Sequence, residues 1–151
     1  MLLAMSAEEG ARAFYSELSR MFSHVPDVSA RWQGLMNDEV LHKNRLEKIF
    51  LQLSEEQLCT TAPDILQKLR LALRDNSLED ILSSVETLDD AYEIAYSLEY
   101  SEVNIAFELI LSSFVTSEDR KDYVLDLINQ HIAKLDGFGN SEWRQHIAAR
   151  K

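Results

Sequence analysis

The stretch from Trp32 to Leu53 constrains the fold most. Its apolar residues Trp32, Leu35, Leu46, Ile49 and Leu53 recur at about 100° per residue, the period of a helix with one buried face. Glu39 and His42 fall in the middle of that stripe. A carboxylate and an imidazole one turn apart on a buried face must be hydrogen-bonded, ion-paired or metal-bound, because an uncompensated buried charge costs several kcal/mol or more. The bland alternative is a hydrogen-bonded pair within the core; the chemical one is a pair of ligands.

The remaining segments read as helices too. With 4 Gly and 2 Pro in 151 residues and no β-branched runs, the chain is expected to be all-α, a single domain over residues 1–151. Ser6 and Glu9 suit a capping box that opens a first helix over about 6–23, with Ala11, Phe14, Tyr15, Leu18 and Phe22 as its apolar stripe and Glu8 on the same line. His24, Val25 and Pro26 break it, and a second helix follows over about 27–53. Residues 54–86 read as a connection with short helices of its own, around 63–74 and 77–85. Such a length can carry the chain from one end of a bundle to the other.

Thr87, with Asp89 and Asp90 after it, starts a third long helix to about residue 114, whose inner line is Ala91, Tyr92, Ala95, Glu99, Glu102, Ala106 and Leu109. A fourth, about 117–136, carries Val124, Ile128, His131 and Leu135 inward and ends at Gly137 and Gly139. A tail helix over 141–150 is expected to pack Trp143 and Ile147 back on the bundle. Glu8 and Glu99 each precede a Leu by ten residues, and His42 and His131 each precede a Leu by four. The two helix pairs thus share a layout at an offset of about 90 residues, as two related hairpins would.

Charge and cysteine content narrow the partners. A net charge of −11 repels phosphate backbones, so nucleic acid is not expected. No apolar run approaches the roughly 20 residues of a membrane span, and a soluble cytoplasmic protein is expected. Cys59 is the one cysteine, which excludes an internal disulfide and any thiolate metal cluster. Any metal is then held by oxygen and nitrogen.

Four long helices, a crossover after the second, a Glu on the first and third, and Glu39-x-x-His42 on the second resemble the ferritin-like carboxylate di-metal bundle, in particular the rubrerythrin branch, to which Glu99-x-x-Glu102 is similar. The resemblance implies a four-helix bundle with a long helical crossover between helices 2 and 3 and a short C-terminal helix. It implies the ligands Glu8, Glu39, His42, Glu99, Glu102 and His131. It further implies two irons per chain, with manganese or zinc as substitutes, and reduction of peroxide, or oxidation of ferrous iron by dioxygen, with electrons from an external donor protein and no catalytic residue beyond the ligands. Tyr15, Tyr96 and Tyr100 are candidates to hydrogen-bond a ligating carboxylate. The chain departs from the pattern at Ile128, where a fourth-helix Glu would stand, and it lacks the cysteines of a rubredoxin-type domain. Leftover apolar residues such as Phe107 and Phe114 suggest a homodimer.

Structural explanations compete with each ligand. Glu8 near a helix start suits the helix dipole, Glu102 suits an exposed face, and His131 suits a core histidine bonded to a carbonyl. His24 and His146 are expected to be solvated. The alternative to a redox protein is a non-catalytic helical bundle that keeps one metal or none and serves as an interaction or structural module.

Overall fold

The computed structural model describes residues 2–51, 54–55, 78–100, 130 and 133–151. These residues are all-α, with no strand among them and one isolated bridge between Thr87 and Ala148. The elements are α1 (Leu2–Met21), α2 (Pro26–Leu51), α3 (Leu78–Ser83), a helix α4 over 88–100, a turn of helix α5 over 133–136 and α6 (Ser141–Gln145). No helix among the described residues is long and apolar enough to cross a membrane.

α1 begins at Leu2, four residues ahead of the expected capping box at Ser6. Leu2, Leu3, Ala4 and Met5 are good helix formers and continue the helix past Ser6. Glu9 is accordingly free of capping duty. It pairs with Arg12 at 2.8 Å and reaches across to Lys43 on α2 at 3.0 Å. α2 starts with Pro26 at its first position, where the missing N–H costs nothing.

α4 opens with a reciprocal cap. The Asp90 carboxylate accepts from the Thr87 N–H at 2.8 Å and the Glu86 N–H at 3.1 Å, and Thr87 Oγ1 accepts from the Asp90 N–H at 3.3 Å. α5 ends as expected: Gly137 and Phe138 form a turn, and Gly139 has a φ of +80°, a left-handed backbone that favours glycine.

The tail departs from expectation. Its helix covers only Ser141–Gln145, capped by Asn140, which accepts from the Trp143 N–H at 2.9 Å. Residues 147–150 are used instead as an extended tie. Leu88 N–H donates to Ile147 O at 2.9 Å, Ala149 N–H to Glu86 O at 2.8 Å, and Arg150 N–H to Met21 O at 3.0 Å. These bonds satisfy backbone groups at the start of α4 and the end of α1 that no helix could satisfy. Trp143 does not pack into the bundle as expected; it is 45% exposed and lies over Gly139. Ile147 does pack against the core.

The core joins α1, α2, α4 and the 135–138 turn through Phe14, Tyr15, Leu18, Phe22, Trp32, Leu35, Leu88, Ala91, Ala95, Leu135 and Phe138, all buried. Trp32 is its centre, stacked on Tyr15 at 5.9 Å and set against Phe138 at 4.2 Å between centroids. Burying rings of this size contributes roughly 2–3 kcal/mol each. The tie brings the end of α1 beside the start of α4, and α2 follows α1 through a short turn. α2 and α4 therefore leave the same end of the molecule and run in the same direction. Lys134 pairs with Asp38 while Phe138 meets Trp32, so α5 runs antiparallel to α2. His24 is half-buried against Phe22 rather than solvated, since the turn folds back on the core; His146 is exposed.

Candidate metal centre

Two turns along the shared axis from the Trp32 layer, the buried faces of α1, α2 and α4 change from apolar to acidic. On α1, Glu8 continues the line of Ala11, Tyr15 and Leu18. On α2, Glu39 and His42 continue the line of Trp32 and Leu35. On α4, Glu99 continues the line of Leu88, Ala91 and Ala95. The same periodicity that builds the core thus carries these polar groups into the interior.

Glu39 is 1% exposed and Glu99 3%, so neither is solvated as a surface carboxylate is. His42 Nδ1 lies 3.2 Å from Glu39 Oε2 and 3.5 Å from Glu8 Oε2. One ligand atom from each of Glu8, Glu39 and His42 lies within 4.8 Å of the others. Glu8 no longer has the helix-dipole explanation, because α1 starts six residues before it and the dipole acts within the first turn.

Glu99 stands beside this group rather than in it. Its charge acts on Glu39, but its Oε1 accepts a hydrogen bond from the Tyr15 hydroxyl at 2.5 Å. Of the three tyrosines expected near a ligand, Tyr15 thus touches a carboxylate. Tyr96 donates to Tyr100 at 3.1 Å instead. Glu102, His131 and Ile128 lie outside the described residues.

The electrostatics follow from crowding. Burial pushes Glu39 up to about 9; its hydrogen bond to His42 pulls the other way, and the neighbouring Glu8 and Glu99 add to the rise. Burial works against the charged form of His42, but hydrogen bonds to Glu39 and Glu8, and their charges, outweigh it and push the imidazole up to about 10. The cluster therefore holds on to protons at neutral pH. A cation is the other species that can relieve the same repulsion, and proton and cation compete for the same oxygens.

The donor set fits a borderline or hard divalent cation. Two carboxylates and one imidazole converge on one spot, with a further buried carboxylate alongside, and the thiolates that softer metals prefer are absent from the described residues. No family model matches the chain, and no curated protein or solved structure matches it either. Function is read from the geometry of Glu8, Glu39 and His42.

The sequence did not point to the clamp at the far end. Arg144 is buried, donates to Asp89 at 2.8 Å and to Gly139 O, and lies 3.7 Å over the Tyr92 ring. Asp89 also accepts from Ser141 at 2.7 Å and Gln145 at 3.2 Å. An arginine in a short basic tail gives no period by which to mark it as buried.

Proposed function

We propose that the chain is a ferritin-like, rubrerythrin-type metal-binding protein that reduces peroxide or oxidises ferrous iron. The convergence of Glu8, Glu39 and His42 from two helices onto one buried spot carries this proposal. The common direction of α2 and α4 supports it, since the second and third helices of bundles of that class also run parallel.

Glu8, Glu39 and His42 would hold one cation; Glu99, with Glu102 and His131, would complete a second position. Bound iron would supply the electrons that peroxide reduction consumes, replenished by an external donor protein. The chain's own part is to present anionic oxygens from separate helices and to keep bulk water from Glu39 and Glu99. Tyr15 orients Glu99 through its hydroxyl.

Metal content by plasma mass spectrometry, on protein purified from iron-supplemented cells, tests the proposal. About two irons per chain and a spectral change on adding peroxide are expected. Metal-free protein that stays empty on reconstitution would overturn it. One observation favours a second reading, a metal-free or single-metal structural bundle: His42 Nδ1 lies 3.2 Å from Glu39 and 3.5 Å from Glu8, so a protonated imidazole can offset the two carboxylates without a cation.

A further inference from the structure

We infer that the ion-paired residues Arg12, Glu9 and Lys43 form a charged rim on the open side of the cation group, and that Arg12 and Lys43 are specificity-determining residues favouring a small anion as the further ligand of a bound cation. This rests on the metal-binding proposal and uses only the group formed by Glu8, Glu39 and His42.

That group is closed on one side and open on the other. Glu39 is sealed from solvent, whereas the side chains of His42 and Glu8 are 16% and 12% exposed. Three protein donors leave a divalent cation with positions still to fill, whether it prefers four ligands or six. On the open side such a position is filled from solvent, by water or by an anion small enough to pass Glu8 and His42.

The residues at that edge are charged. Glu9 directly follows Glu8, Lys43 directly follows His42, and Arg12 stands one helical turn on from Glu8. A single carboxylate serves both cations: Arg12 Nε donates to Glu9 Oε1 at 2.8 Å and Lys43 Nζ donates to Glu9 Oε2 at 3.0 Å. Two positive charges share one negative, so these three residues hold one positive charge in excess, in a chain whose net charge is −11.

An ion pair as open to solvent as Glu9–Lys43 adds little to stability. What the cation group feels is therefore the charge of the rim rather than its grip on the two helices. Excess positive charge there opposes an arriving cation and favours an arriving anion. Neutralising Lys43 and neutralising Glu9 break the same ion pair, yet the first leaves the rim with no excess charge and the second leaves it with two positive charges.

Cobalt(II) added to the metal-free full chain, followed by azide, tests this through the visible absorption of the bound cobalt. Lys43→Met should weaken azide binding about two- to fivefold and tighten cobalt binding by a similar factor; Glu9→Gln should shift both in the reverse direction. Azide affinity of the wild type should fall as sodium perchlorate is added, and fall less in Lys43→Met, because charges this exposed are screened by salt. Arg12→Gln removes a positive charge from α1 instead and decides the matter if Lys43→Met does not fold.

Lys43→Met and Glu9→Gln variants that move azide affinity in the same direction, as loss of a shared structural contact would, overturn the inference and leave the cation group standing. So does a cobalt-loaded wild type that takes no azide. A wild type that takes up no cobalt overturns the metal proposal and the inference with it.

Discussion

The guanidinium of Arg144 lies 3.7 Å over the ring of Tyr92 while its Nε donates to Asp89, so one tail residue grips two successive turns of α4. This grip fixes the start of the helix that carries Glu99. It acts at the end of the molecule remote from the carboxylates, next to the tie formed by residues 147–150.

Replacing Arg144 by Ala should therefore lower stability without touching cation binding directly. Loss of the aromatic contact and of the bonds to Asp89 and Gly139 O is expected to reduce the thermal midpoint by roughly 3–8 °C. Scanning calorimetry on the metal-free protein measures it. An unchanged midpoint would mean that the clamp is not closed in solution.

Glu39→Gln should separate stability from binding. A buried carboxylate crowded by Glu8 and Glu99 destabilises the metal-free fold, and the neutral isostere removes that penalty, so the variant is expected to gain about 1–3 kcal/mol in urea unfolding at neutral pH. Cation uptake at the Glu8–Glu39–His42 group should be lost. A variant that is less stable than wild type would show that Glu39 is adequately compensated by its present neighbours.

The pH dependence has opposite signs with and without metal. Glu39 and His42 both have raised folded values, about 9 and about 10, against ordinary values of 4.5 and 6.5. The native state then binds more protons than the unfolded state. The His42 contribution is complete below 6.5 and lost as pH rises through about 10; that of Glu39 is lost as pH rises through about 9. Metal-free protein should lose stability from neutral pH to about 9. Cation affinity should climb over the same interval, about tenfold per pH unit for each proton displaced. Parallel thermal melts with and without manganese across this range check both signs at once.

Trp32→Ala should cost about 3–5 kcal/mol, because the ring is fully buried between Tyr15 and Phe138 and nothing on the surface can collapse into its place. Trp32→Phe should cost less. Denaturant unfolding gives the difference, and the loss of the blue-shifted part of the tryptophan emission, with the exposed Trp143 left behind, confirms which ring has gone.

The helical class and the Glu39–His42 pair were legible because burial imposes a 3.6-residue period that polar residues cannot share unnoticed. Trp32, Leu35, Glu39 and Leu46 are all buried as that period requires. Helix ends were less legible. Ser6 is an adequate cap, yet Leu2 to Met5 extend the helix, because local capping loses to propensity when nothing forces a stop. The tail is illegible in sequence for a different reason. Its residues 147–150 bond to Glu86, Leu88 and Met21, partners far away in sequence that no local pattern reveals. Tyr15 was legible as a partner for a carboxylate, but which one depends on how α1 faces α4, and that is a tertiary fact.

Glu8, Glu39 and His42 all come from a single helical hairpin, α1–α2. The loop they close spans only a few dozen residues, and contacts of such short range form early when a chain collapses, before distant segments have found their places. A nascent or refolding polypeptide would bring Glu8, Glu39 and His42 together as soon as α1 meets α2; if that group takes a cation as proposed, an added cation should accelerate refolding as well as strengthen the finished molecule.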